Sequence, residues 1–292
     1  MNAPLFSGTC TALVTPFLNG QVNYPLMERL LQRQIDAHIR CVVVCGTTGE
    51  AATLTDNEKL ELIRRTKEYA GDSLTVIAGT GSNSTEHAVW LSMEAEKRGA
   101  DAVLVVSPYY NKATEEGLFA HFAAIADAVR IPVILYNVPS RTGMDISVDA
   151  CRRLSRIGNI VGIKEASTSI SKISNILSQC DPGFSVWSGN DDMAVPVLSL
   201  GGRGVISVVS NVFPELVEAM TAAGLAGDFD TAAALQRRIQ PLCDVLFREV
   251  NPVPVKAAMK ILGVDCGDCR LPLTKAKAET EILLRRLLSK EK

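Results

Sequence analysis

Eight short runs rich in β-branched residues, each followed by a stretch of helical periodicity, constrain this chain more than any other feature of it. The runs cover residues 9–14, 41–45, 74–78, 102–106, 132–136, 160–163, 184–187 and 204–207. Most are apolar at consecutive positions, as a parallel sheet buried on both faces requires; a sheet with one face in water would alternate. Between them, Leu26, Leu30, Leu31 and Ile35 form one apolar stripe. Thr55-Asp-Asn-Glu58 reads as a capping box that opens a helix turning Leu60, Leu62 and Ile63 inward. Further helices are expected over 86–98, stopping at Gly99, and over 117–129, stopping ahead of Ile131-Pro132. Run starts lie about 20 to 35 residues apart, close to the roughly 31 that one βα unit takes in a barrel of about 250 residues.

The expected fold is therefore α/β, a (β/α)8 TIM barrel, although a doubly wound open sheet is also a string of βα units and periodicity leaves it standing. After the eighth run, residues 214–225, 229–247, 253–262 and 275–288 carry helical patterns and no strand signal. Residues 1–225 are expected to form a catalytic barrel. Residues 226–292 are expected to form a C-terminal helical extension packed on it, because no low-complexity linker separates the two.

Composition then removes whole classes of function. The 292 residues carry a formal net charge of -2, no basic run, and only 5% aromatic residues, so no track or stacking platform for nucleic acid is expected. The opening residues lack a basic start followed by a long apolar stretch, and no apolar run approaches a membrane span, which points to a cytoplasmic location and no membrane partner. Eight cysteines, from Cys10 to Cys269, sit mostly in apolar segments, as small core residues do, and a disulfide framework is not expected. Cys266 and Cys269 form a lone CxxC with no second pair or nearby histidine to complete a zinc site, so no metal is expected.

In a barrel the chemistry collects at the C-terminal ends of the strands. Here each apolar run stops at a hydroxyl, amide, glycine or charge: Thr15, Gly46-Thr47-Thr48-Gly49-Glu50, Gly79-Thr80-Gly81, Ser107 through Asn111, Tyr136-Asn137, Lys164-Glu165, Ser188-Gly189 and Ile206-Ser207. His38, His87 and His121 fall instead in expected helices, which argues against histidine catalysis. Lys164 directly follows an apolar strand. An amine held at such a place loses hydration, and that favours the neutral nucleophile that attacks a carbonyl to form an imine. An ion pair with Glu165 and a phosphate-gripping cation are the other readings. Imine chemistry needs proton transfers, which the Tyr136 phenol, one strand earlier, can relay if it is more than a core ring. Thr47 and Thr48 lie in a glycine-bounded turn whose amides can face a carboxylate while a hydroxyl links to the phenol. Gly79-Thr-Gly81 lacks the third glycine of a dinucleotide fingerprint and reads as a tight turn.

Seven segments taken together resemble the dihydrodipicolinate synthase (4-hydroxy-tetrahydrodipicolinate synthase) family, within the pyruvate-dependent aldolase and lyase superfamily. They span residues 46–54, 78–81, 108–111, 136–143, 162–166, 202–207 and 251–256, in order and nearly end to end. The resemblance implies a lyase of diaminopimelate and lysine biosynthesis. In it Lys164 forms a Schiff base with pyruvate, Tyr136 shuttles protons, and Thr47 and Tyr110 complete the relay. Tyr110 would reach into a neighbouring subunit, which implies a homotetramer built as a dimer of dimers. Thr48, Ile206 and Gly189 would hold pyruvate, and Arg141 would take the carboxylate of aspartate semialdehyde. No cofactor is implied beyond the covalent imine. A bidentate guanidinium suits an amino-acid semialdehyde better than a neutral sugar chain, although an exposed loop arginine is the plainer reading. The lysine-feedback site of sensitive relatives is altered: Ala51, Asp56, Lys59 and His87 replace the expected residues while Asn83 and Tyr109 remain, so weak or absent feedback is expected. Rival readings are an N-acetylneuraminate or sugar-acid aldolase, a hydroxyproline-pathway dehydratase, and an idle metabolite-binding barrel.

Overall fold

The structure, a computed structural model, describes residues 4–289; residues 1–3 and 290–292, the outer ends of the two expected segments, lie outside the described residues. Ten strands occur in chain order: β1 (Gly8–Ala12), β2 (Phe17–Leu18), β3 (Gln21–Val22), β4 (Cys41–Val44), β5 (Thr75–Gly79), β6 (Ala102–Val106), β7 (Val133–Asn137), β8 (Ile160–Glu165), β9 (Ser185–Ser188) and β10 (Gly204–Ser207). Eight of them close a parallel barrel in the order β1-β10-β9-β8-β7-β6-β5-β4, and β4 pairs back to β1. Closure removes the open-sheet alternative. Each expected run holds a barrel strand, displaced by a residue or two at its ends.

The other pair, β2 and β3, is a small antiparallel hairpin that the sequence reading passed over. Its turn is Asn19-Gly20, both at positive φ, the dipeptide that tight hairpins favour. Strands this short bury too little to leave a hydrophobic pattern. His38 also departs from expectation. It lies beyond the helix Tyr24–Asp36 at φ 63, in a left-handed turn and not in the helix.

The helix Asp56–Ala70 opens with the expected capping box, the Thr55 side chain accepting from Glu58 N while the Glu58 side chain accepts from Thr55 N. Hydroxyl caps at Ser84 and Thr114 start the next two helices, Thr85–Lys97 and Glu115–Ala128, a little earlier than periodicity indicates. Inside the barrel, alternate side chains make one compact layer system that includes Ile77, Leu104, Ile134, Trp187 and Ile206. Trp187 is fully buried, stacks on Phe6 with ring centroids 4.7 Å apart, and donates its indole N–H to the Phe6 carbonyl at 3.2 Å. The stack belongs to that packed interior.

After β10 the chain runs through Pro214–Leu225, Phe229–Leu246, Val253–Ile261 and Ala278–Leu288, all helical. The long helix Phe229–Leu246 reaches the barrel through Gln236, whose amide donates to the Asp191 carbonyl at 2.9 Å and accepts from Val195 N at 3.2 Å. The segment before the last helix is tied down by Arg270. Its guanidinium donates to both Glu58 oxygens, to Thr53 O and to Gly20 O, and lies 4.4 Å over the Phe17 ring. The hydrogen bond from Arg270 holds the Glu58 carboxyl down at about 2 from an ordinary 4.5. A depressed carboxyl stabilises the fold above its unfolded value, and that contribution disappears as pH falls toward the folded one. Unfolding by urea at pH 7 and pH 3 should therefore show an acid-side loss of stability that is smaller in Glu58→Gln.

Candidate active site

Lys164 and Tyr136 are opposed residues on neighbouring strands, β8 and β7, in the register of the barrel. Residues opposed in a parallel pair point to the same face, and here that face is the interior, above Trp187, which opposes Lys164 on its other side. Lys164 is only 5% exposed, and its amine lies 4.4 Å from the centre of the Tyr136 ring. Gly162, one inward step below, carries no side chain because a Cβ there would meet the Trp187 ring at 2.6 Å. The amine is thus held against the face of a tyrosine ring over an apolar floor, which brings together the two residue types that imine formation and proton relay use.

Above them opens a cleft of about 420 Å³ whose wall includes Thr47, Tyr109, Tyr136 and Arg141. A wider hollow of about 880 Å³, lined by residues such as Ala123, Arg130 and Asn159, lies at the starts of β7 and β8 and touches no expected site residue. The smaller cleft is the candidate site because Tyr136, Thr47 and Arg141 line it and Lys164 lies against the Tyr136 ring. Thr48 is buried and accepts from Asn251 Nδ2 at 2.9 Å, while the Asn251 carbonyl accepts from Arg141 Nη2 at 3.2 Å. Ile206 is fully buried in the interior layer. Gly189 follows β9 and donates its N–H to Glu165 O at 2.7 Å; a Cβ on it would come within 2.6 Å of Ala166 Cβ. Arg141 itself is exposed at the cleft's edge, in the short helix Pro139–Thr142.

One expected link is not made. Among the described residues no hydrogen bond joins Thr47 to the Tyr136 phenol; the two only share the cleft wall. Tyr110, expected to serve a neighbouring subunit, is 91% exposed on its own chain, at φ 72. The ion-pair reading of Lys164 with Glu165 also fails, since the pleat sends Glu165 to the opposite face, where it meets Lys172 at 3.2 Å.

The altered feedback residues gather on the same cleft. Ala51, Lys59, His87 and Tyr109 contribute to its wall. Asp56 accepts from Lys59 Nζ at 3.2 Å and from His87 Nε2 at 3.0 Å. Burial works to raise the Asp56 carboxyl, but the bonds from His87 and Lys59 outweigh it and hold the group low. Asn83 offers its carbonyl to Asn111 Nδ2 at 2.9 Å.

A model of the "Dihydrodipicolinate synthetase family" matches residues 5–291. The chain belongs to this family. A 4-hydroxy-tetrahydrodipicolinate synthase from Acetivibrio thermocellus is 46% identical over 288 residues, 99% of this chain and 98% of that one. The crystal structure of dihydrodipicolinate synthase from Aquifex aeolicus superposes with a TM-score of 0.96 at 44% identity, covering 98% of each chain. A structure described as the first monomeric dihydrodipicolinate synthase variant matches at TM-score 0.95 and 42% identity, over 97% of this chain and 96% of that one.

Three features escaped the sequence reading. Asn251 joins Thr48 to Arg141, so the helical extension supplies part of the site wall. Lys256 and Glu50, both buried, approach to 2.5 Å as a charge contact without hydrogen-bond alignment, and Glu50 Oε2 accepts from Arg270 N at 2.8 Å. Asp191, also buried, accepts from Ser207 Oγ at 2.5 Å and from Val208 N at 2.8 Å, and burial raises its carboxyl. Only Asn251 and the Glu50–Lys256 pair fall in segments whose pattern drew notice; nothing local to the sequence marks their partners. Among the described residues, no three His, Cys, Asp or Glu side chains are grouped to hold a metal ion, and no helix is long and apolar enough to cross a membrane. All eight cysteines are free.

Proposed function

We propose that this chain condenses pyruvate with L-aspartate 4-semialdehyde to give 4-hydroxy-tetrahydrodipicolinate, the reaction for which its relatives are named. The observation that carries the reading is the buried amine of Lys164 against the Tyr136 ring. Lys164 attacks C2 of pyruvate, water leaves, and an imine forms. Loss of a C3 proton through Tyr136 gives the enamine, whose C3 bonds to the aldehyde carbon. The amine of the semialdehyde then displaces Lys164 and closes the ring. No cofactor takes part. Thr48, Ile206 and Gly189 hold the ketoacid, and Thr47 and Tyr110 carry protons between the phenol and the mouth.

Because Tyr110 stands out from its own chain, it serves the site of a neighbouring subunit, and the working form is a cytoplasmic homotetramer made of two dimers. A relative described as the first monomeric variant fits an oligomer being the usual state. Residues 1–225 form the catalytic barrel and 226–292 the extension. Reduction with borohydride in the presence of pyruvate, followed by peptide mass spectrometry, tests the reading: the added mass belongs on Lys164, and its appearance on another lysine would refute it.

Arg141 takes the carboxylate of the aldehyde. Arg141→Ala should raise KM for aspartate semialdehyde by about 10- to 100-fold, as expected for losing a charge-assisted pair of about 1.5 to 3 kcal/mol. The KM for pyruvate should barely move, and steady-state kinetics with each substrate varied would decide. With Lys59 and His87 beside Asp56, free lysine finds a cation where it would need an acceptor. A lysine titration should show no half-inhibition below millimolar levels.

A further inference from the structure

β8 does not pair with β7 in one unbroken register. Val133 opposes Ile160, yet Ile134 opposes Gly162, so Val161 is the extra residue of a β-bulge. Its effect on the reactive amine follows from the pleat, because side chains alternate between faces and a shift of one residue sends each to the other side. In β7, Ile134 and Tyr136 face the interior while Val133 and Leu135 face the helices. Counted from Ile160 without the extra residue, Lys164 would oppose Asn137 and point outward. With the bulge it opposes Tyr136 and points inward. Re-aiming a side chain is what bulges beside active sites do.

Two features hold the bulge in place. Below the reactive pair, Gly162 lies so close to β9 that a Cβ would meet the Ser185 carbonyl oxygen at 2.3 Å. Above it, Asn137 and Glu165 oppose each other on the outward face, both fully buried. Asn137 Nδ2 donates to the two Glu165 oxygens at 2.9 and 3.0 Å, Ser167 N donates to Oε1 at 2.7 Å, and Lys172 Nζ lies 3.2 Å from Oε2. Asn137 Oδ1 accepts from Ile146 N at 2.9 Å. A carboxylate without water is tolerated only where such partners meet it, so any slip of β8 that parts Glu165 from Asn137 is disfavoured.

We propose that the Asn137–Glu165 rung is a positioning device that fixes the bulged register of β8 and so aims Lys164 at Tyr136. Neither residue touches substrate. The inference rests on the imine reading above, and the test separates the two. Asn137→Asp sets a carboxylate against buried Glu165 and also against Asp145, to which Asn137 Nδ2 donates at 2.7 Å but whose half-exposed side chain is paired with Lys172 and can turn to water; adding Glu165→Gln restores a donor opposite an acceptor on the buried rung, with the direction reversed. Borohydride capture of pyruvate on Lys164, per folded molecule, should slow about 10- to 100-fold in Asn137→Asp, as small misplacements of reacting groups do. The double variant should return to within about threefold of the parent, as coupled partners do in a double-mutant cycle. Should Asn137→Asp not fold, a double variant that folds and captures pyruvate at near-parental rate is the expected result. Capture by Asn137→Asp as fast as the parent's, or a double variant no better than the single, would overturn the proposal. No capture by the parent protein would overturn the imine reading, and the proposal with it.

Discussion

Lys164→Ala should leave a folded barrel that neither turns over nor retains pyruvate after borohydride treatment, with kcat down by more than about 10⁴-fold, the scale on which removal of a covalent nucleophile acts. The size of the effect follows from where the amine sits. It lies between the Tyr136 ring on one neighbouring strand and Trp187 on the other. The fold should survive, because truncation leaves a small gap over an apolar floor and the buried carboxylates nearby keep hydrogen-bond partners: Glu165 on the other face, and Asp191, which loses the attraction of Lys164 but still accepts from Ser207 Oγ and Val208 N. Far-ultraviolet circular dichroism and a turnover assay on the same preparation check both halves. Turnover within about tenfold of the parent would show that the reaction does not run through this amine.

The second large effect concerns stability. Lys256→Met should cost about 3 to 5 kcal/mol in urea unfolding, the typical result of taking one partner from a buried ion pair. Glu50 would be left with a charge that the Arg270 N–H alone cannot balance. It is held at φ 57, in a turn packed under the extension, and cannot swing out to water. The double variant Glu50→Gln with Lys256→Met should lose less than the single one, since no buried charge then remains unpaired. Equal losses in both would show that Lys256 acts through its contact with the Phe17 ring, 4.3 Å away, and not through its charge.

The barrel was legible because strand and helix periodicities are local. A run such as Cys41-Val-Val-Val-Cys45 cannot rest with either face in water, and Thr55 with Glu58 announces a helix start without help from the rest of the chain. Lys164 and Tyr136 were legible for a related reason, as polar residues closing apolar runs on consecutive barrel strands. What escaped was set by contacts distant in sequence. Asn251 meets Thr48 across 203 positions, and a search for strand ends does not look in a helical extension. The bulge at Val161 leaves no mark in Ile160-Val-Gly-Ile163, since either register satisfies the same apolar pattern. Tyr110 was expected to serve a neighbouring subunit only through the family resemblance; nothing in its local pattern marks the left-handed backbone, φ 72, that leaves it exposed on its own chain.

The stack of Phe6 on Trp187 packs the barrel interior, and that has a bearing on traffic. Arg141 is exposed at the rim of the cleft, while Lys164 is buried within the barrel. The ketoacid must go in first. With reactants reaching the amine from the side where Arg141 lies, the aldehyde would follow the ketoacid and the ring would leave over the same rim.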